Sequence, residues 1–233
     1  MLIHANPALE QQTRYGRYLL AGFQRHNLNA ELTSDPHTSA DIHVILGPYF
    51  AKQPWIGHPR TILLERAWWG DPDWVRLSWM GPAGEDTITD GHPSDRYKPV
   101  LKPWRPLGER CLLLLDYGMS EKIKEFEYRK AMTVRYHPVE RPSPRTLEQE
   151  LAEHDCVFGY KTTALVTTAI EGVQFFCLDP TNAAYPVSHT DPDDTAYPPD
   201  RTQWINNLSY HQYSGAEIEQ GIAWEFLRRY LPE

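Results

Sequence analysis

The stretch CVFGYKTTALVTTAIEGVQFFCLDP, residues 156–180, sets two apolar runs around a polar turn and a helical segment. CVFGY has the length and content of a buried strand, and the apolar run at the far end has the same character. Between them Leu165, Ala169, Ile170 and Val173 fall on one face of a 3.6-residue period, so this part reads as a helix docked on a sheet. Thr and Val are mediocre helix formers, and packing of that face rather than propensity has to hold it. Strand, helix and strand in this order make the unit of a parallel α/β sheet. The turn from Gly159 to Thr163 then lies at the carboxyl end of the sheet, where open α/β folds bind ligands. Backbone N–H groups and the helix dipole meet there, which suits a phosphate or carboxylate. Thr162 or Thr163 acting as an N-cap accounts for the same residues, and both readings stand.

The same alternation extends outward. CLLLLDYG (111–118), a polar helix (120–132), TVRYHP (133–138) and a helix (144–155) precede the stretch. In the first half LIHAN reads as a strand and 9–26 as a helix. The runs 41–51, 60–69 and 74–80 read as further strands. Residues 81–110 are dense in Gly, Pro and charge and make the best linker. After a Pro and Asp loop at 188–202, residues 203–214 and 215–231 read as helical. The expected fold is α/β with two Rossmann-like parallel-sheet lobes in a compact arrangement. A lobe at 1–100 would bind the acceptor and a lobe at 101–203 the nucleotide ligand, with helices at 204–233 packing back across both. Neither GxGxxG nor GxxxxGK[ST] occurs, so dinucleotide and P-loop chemistry find no support.

With 41% hydrophobic and 23% charged residues in 233, the chain has the composition of a globular protein with a sizeable core. A net charge of −8 repels polyanions over the surface as a whole, so a nucleic-acid partner needs a local basic patch. Cys111, Cys156 and Cys177 are odd in number, lack CxxC spacing and sit in apolar runs, as reduced thiols of a cytoplasmic protein do. No window reaches the length of a membrane span, and the sequon at Asn207 is read as incidental. Oligomeric state has no signature in the sequence.

RYHP, Arg135 to Pro138, ends a strand just before a turn. Pro138 holds His137 extended, so imidazole and guanidinium are expected to project over the sheet edge. With Lys161 and the two threonines they would surround one anion.

RYHP, the helix TLEQELAEHD and KTTALVTTAIEGVQFFCLDP follow in an order that resembles the nucleotide-sugar-binding half of GT-B glycosyltransferases, over residues 111–187. HPRTILLERAWWGDPDW and the closing QWINNLSYHQYSGAEIEQGIAWEFL are similar to small phage-encoded glycosyltransferases. The resemblance implies a metal-independent enzyme that moves a sugar from a nucleotide-diphosphate sugar to an acceptor hydroxyl. No other cofactor is implied. Thr162 and Thr163 would donate to the diphosphate, with Arg135, His137, Tyr160 and Lys161 beside it and Glu171 reaching ribose or sugar hydroxyls. Lys161 before the threonines and the short chain depart from the family pattern. The acceptor is a 5-hydroxymethylpyrimidine in phage DNA, or a surface glycan or small molecule. For DNA, Arg14, Arg17, Arg25, Lys98, Lys102 and Arg105 are the candidate basic patch. A non-catalytic nucleotide-binding protein remains the competing class.

The catalytic base is sought in the first half. Glu65, Asp71 and Asp73 lie beside Trp68, Trp69 and Trp74 at the end of a strand, where apolar surroundings raise a carboxyl pKa and aromatic faces stack on sugars or bases. Asp71-Pro72-Asp73 also reads as a plain turn. DPDD at 191–194 is read as a solvated loop, and no metal site is expected.

Overall fold

The computed structural model describes residues 1–47, 54–79, 91–119, 132–189 and 200–232. Residues 48–51 of the first long strand run, 81–90 of the linker, 120–131 of the polar helix and the DPDD loop lie outside them. In chain order the elements are β1 (Leu2–His4), α1 (Glu10–Arg25), β2 (Glu31–Thr33), β3 (His43–Leu46), β4 (Thr61–Arg66), β5 (Val75–Trp79), β6 (Cys111–Leu114) and β7 (Thr133–Arg135). They continue with α2 (Leu147–Glu153), β8 (Cys156–Gly159), α3 (Ala164–Ile170), β9 (Gln174–Cys177), α4 (Thr202–Ser209), β10 (Gln212–Tyr213), α5 (Gly215–Glu219) and α6 (Ile222–Leu227). The fold is α/β, with two compact units: Met1–Tyr97 with Asn206–Glu233, and Lys98–Ile205. No helix among the described residues is long and apolar enough to cross a membrane.

The first unit is built on a six-stranded sheet in the order β10-β5-β4-β3-β1-β2. β2, β1, β3 and β4 run parallel, while β5 and β10 each run antiparallel to the strand before them in the sheet. Side chains alternate between the two faces. Ile3, Val44, Leu46, Ile62, Leu64, Val75, Leu77, Trp79 and Tyr213 share one apolar cluster with Tyr15, Leu19 and Phe23 of α1 and with Trp224, Phe226 and Leu227 of α6. Each fully buried Leu, Val or Ile there contributes about 2 kcal/mol. A Cβ on Gly22 of α1 would stand 2.1 Å from the Ile218 carbonyl oxygen, so α1 and α5 meet at a separation that only glycine permits.

Residues 203–214 do not stay helical, in contrast to the expectation from their local pattern. Helix α4 ends at Ser209, and Gln212 and Tyr213 pair antiparallel with Arg76 and Val75. The outer edge of β5 needs backbone partners, and two residues of the returning chain supply them.

The second unit holds four parallel strands in the order β7-β6-β8-β9. Leu113, Leu115, Cys156, Phe158 and Phe176 fill one face. Leu112, Leu114, Val157 and Phe175 alternate to the other, and all four are buried. α2 starts after a capping box in which Thr146 and Gln149 each bond the other's backbone N–H. α3 ends on Gly172, whose φ of +73° is the left-handed helix stop. Part of the expected linker is bound to that stop, with the Lys102 N–H donating to the Ile170 carbonyl at 3.0 Å and the Arg105 N–H to that of Gly172 at 2.7 Å.

Candidate functional site

Register decides what gathers at the carboxyl edge of the second sheet. Leu114 is level with Arg135 and with Gly159, and Gly159 is level with Cys177. Two residues past that row the four strands deliver Asp116, His137, Lys161 and Asp179. The Lys161 N–H donates to Asp116 Oδ2 at 2.8 Å, and Lys161 Nζ stands 3.8 Å from Asp179 Oδ2. Burial pushes the Asp116 carboxyl up, against the pull of the Lys161 N–H and of His137. Asp179 is raised by burial too, but hydrogen bonds from Thr181 outweigh it and hold this carboxyl low. The Thr181 hydroxyl donates to Asp179 Oδ1 at 2.6 Å and its N–H at 2.9 Å. Lys161 and Asp179 thus balance, while the Asp116 carboxyl is held above its ordinary pKa by burial.

The turn itself is held from below. Asn182 Nδ2 donates to the carbonyls of Tyr160 and Thr162, each at 3.1 Å. Thr162 Oγ1 accepts from the Ala164 N–H at 3.3 Å, and Thr163 takes the N-cap position with no side-chain cap bond. Thr162 is therefore the local brace, which leaves the Thr163 hydroxyl for another partner. Cys177 beneath the turn has its thiol pushed up to about 11 by burial, so it stays protonated and is no nucleophile.

Of the residues expected at the donor site, His137, Tyr160, Lys161, Thr162 and Thr163 share this edge. His137 meets the edge of the Tyr117 ring at 5.7 Å. Arg135 does not project over the edge. Alternation in β7 turns it away from the face of Val134, and Nη1 pairs with Glu150 Oε2 of α2 at 2.9 Å. Glu171 stands at the opposite end of α3, ion-paired with Lys102. Asp116, Asp179 and Asn182 were missed by sequence reasoning. The available signal was an aspartate directly after each apolar run, as in LLLLD and FFCLD.

In the first unit the tryptophan corner follows β4. Glu65 forms an ion pair with the buried Arg76 and so serves to neutralise it. Asp71 accepts the Trp74 N–H through its carbonyl at 2.9 Å, which closes the turn that Asp71-Pro72-Asp73 suggested. Asp73 faces α1, where Arg14 Nη2 donates to Oδ1 at 2.8 Å. Trp74 stacks at a tilt on Tyr97, at 5.4 Å. Trp68 and Trp69 are half-buried neighbours, their rings 6.2 Å apart. The candidate DNA patch is largely bonded within its own units. Arg14 pairs with Asp73, Arg25 donates to the Glu219 carbonyl, Lys102 pairs with Glu171, and Arg105 donates to the Leu151 carbonyl.

The same unit carries two further polar features. A cavity of about 330 Å³ opens where β1, β2 and β3 end, lined by His4, Asn6, Gln12, Thr33 and Ser34. Behind it His4 Nδ1 donates to the Asp35 carbonyl, which can only accept. His4 Nε2 must then accept from His43 Nδ1 at 2.9 Å, and His43 Nε2 from the Ala40 N–H. Burial lowers the pKa of His4 and that of His43, the latter to about 4, so this chain of bonds is held neutral. Among the described residues no group of three or more His, Cys, Asp or Glu is placed to hold a metal ion.

The class defined by these observations is an α/β protein of two parallel-dominated sheets with polar groups in register at a carboxyl edge. No family model matches the chain, and no curated protein is similar to it in sequence. Among solved structures it is similar to the β-Kdo 2,4 transferase KpsC of Thermosulfurimonas dismutans, with a TM-score of 0.47 and 11% identity over 92% of each chain. At that distance no residue role passes from one protein to the other.

Proposed function

We propose that the protein is a glycosyltransferase that binds a nucleotide sugar at the carboxyl edge of the second sheet. The observation that carries this reading is the alignment of Asp116, His137, Lys161 and Asp179 beside the Thr162-Thr163 turn, at the end of strands whose His-Pro ending and threonine turn follow in the order that resembles the donor half of GT-B enzymes. The Thr163 hydroxyl and the Lys161 ammonium stabilise the leaving phosphate without a metal. Asp116 and Asp179, rather than Glu171, accept from ribose or sugar hydroxyls. Among the first-unit carboxylates expected to supply a base, Glu65 is paired with Arg76 and Asp73 with Arg14, while the Asp71 carbonyl closes a turn. An acceptor hydroxyl on a glycan or small molecule fits better than hydroxymethylated DNA, given a net charge of −8 and basic residues already bonded.

Titration calorimetry with nucleoside mono- and diphosphates and their sugars tests the proposal. Binding that Thr163→Ala and Lys161→Ala each weaken about tenfold is expected, at roughly one charge-assisted hydrogen bond apiece. No binding by any of them, or binding indifferent to both substitutions, rejects it. A second reading, a non-catalytic nucleotide-binding protein, is favoured by the pairing of Glu65 with Arg76. It is chosen if nucleotide sugars bind, no donor is turned over, and Glu65→Gln changes nothing. Mass spectrometry of hydroxymethylated DNA incubated with donor is expected to show unmodified bases.

A further inference from the structure

The face of the first sheet opposite its apolar cluster carries a polar row. Glu65 is level with Arg76, and Arg76 with Gln212, so an acid, a cation and an amide stand side by side across β4, β5 and β10. The Trp68 ring covers the Arg76 guanidinium at 4.7 Å. The N–H groups of Trp68 and Trp69 both donate to Gln212 Oε1, at 2.6 and 3.2 Å. Gln212 is 0% exposed, and its amide Nε2 has no protein acceptor among the described residues. Neither has the buried indole Nε1 of Trp68 or that of Trp69. All three can only donate, and buried donors without acceptors are rare enough in native proteins that each needs an explanation.

We propose that this row and the two indoles form a seat for an uncharged carbohydrate. Sugar hydroxyls and ring oxygens accept from Trp68 Nε1, Trp69 Nε1 and Gln212 Nε2, and a hydroxyl can donate in return to Glu65, which only accepts. The partly exposed Trp68 and Trp69 side chains supply apolar surface beside these donors for the ring of the sugar. An anion is disfavoured, because Arg76 is already balanced by Glu65 and a second negative charge would enter beside that carboxylate. The neighbouring cavity at β1, β2 and β3 has less to offer. Its Gln12 is spent on the Asn6 N–H and the Leu46 carbonyl, and its Thr33 hydroxyl accepts the Asp35 N–H. As a binding site this inference stands on the first unit alone; only the sugar's being a substrate rests on the transferase reading.

The test is a titration of the full ¹⁵N-labelled chain with methyl glucoside, N-acetylglucosamine and lactose, with sodium acetate and thymidine as the contrasting probes. Indole signals are followed, and those of Trp68 and Trp69 are assigned by their loss in Trp68→Phe and Trp69→Phe. Saturable downfield shifts of both signals with a neutral sugar are expected. Trp69→Phe, which keeps an aromatic ring and removes one donor, should weaken the affinity about tenfold, as should Gln212→Met if it folds. Signals that stay still with every sugar, or that follow acetate or thymidine in preference, overturn the proposal. Nucleoside diphosphate added to the same samples separates the two readings. Sugar shifts without nucleotide binding reject the transferase and keep the seat, and nucleotide binding without sugar shifts rejects the seat alone.

Discussion

Replacing Arg135 separates a structural role from a phosphate-binding one. Its side chain and that of Glu150 are 15% and 11% exposed, so the pair is nearly but not wholly out of water. In Arg135→Met the Glu150 carboxylate keeps the Ser143 hydroxyl as a donor but loses its counter-charge. Breaking a buried pair from one side costs about 3–5 kcal/mol, and the residual exposure places this one near 3 kcal/mol. For a unit of about a hundred residues that is a fall in Tm of roughly 12–20 °C. Adding Glu150→Leu removes the stranded charge, and the double variant is expected to return to within about 1 kcal/mol of the parent. Urea denaturation followed by circular dichroism gives the stabilities, and calorimetry with nucleoside diphosphate gives the affinity. If Arg135→Met leaves stability within about 0.5 kcal/mol while affinity drops tenfold, the guanidinium is a phosphate ligand and the reasoning fails. A double variant as unstable as the single one refutes the charge argument too.

Acid should loosen the first unit before it protonates exposed carboxylates. His43 and His211 both have pKa values lowered to about 4 by burial, so as pH falls below the ordinary value of 6.5 the unfolded chain takes up protons first. The stabilisation is complete above about pH 7, declines from 6.5 to 4 and is worth roughly 3 kcal/mol per histidine over that range. Urea midpoints at pH 7.5 and 4.5 that coincide would contradict it. Gly172→Ala is expected to destabilise the second unit by about 2 kcal/mol or more, read as a lowered Tm. The added Cβ meets a φ of +73° and would stand 2.1 Å from the Pro103 carbonyl oxygen.

The strands that show in the sequence are those buried on both faces. CLLL, CVFG and QFFC are near-continuous apolar runs, as parallel strands must be, and their boundaries follow from composition. β10 has no such signature, because Gln212 and Tyr213 become a strand only through pairing with Arg76 and Val75, far away in the chain. β2 is mostly exposed and gives no apolar run to find. The same division applies to the site. The threonine turn and His137 are legible, since each is a local junction of strand and turn. Asp116 and Asp179 join them only through register, and Arg135 is removed from them by a partner, Glu150, that no local pattern announces.

The return of the chain to its first sheet has a consequence for biosynthesis. Arg25 and the Glu219 carbonyl that it bonds are 194 residues apart, and α5, α6 and β10 complete a core that β1 and α1 begin. The lobe that leaves the ribosome first therefore closes last, after the continuous second lobe has been made in full. During that interval the apolar face of β4 and β5 waits uncovered, which makes the nascent first lobe the point at which chaperones would be needed.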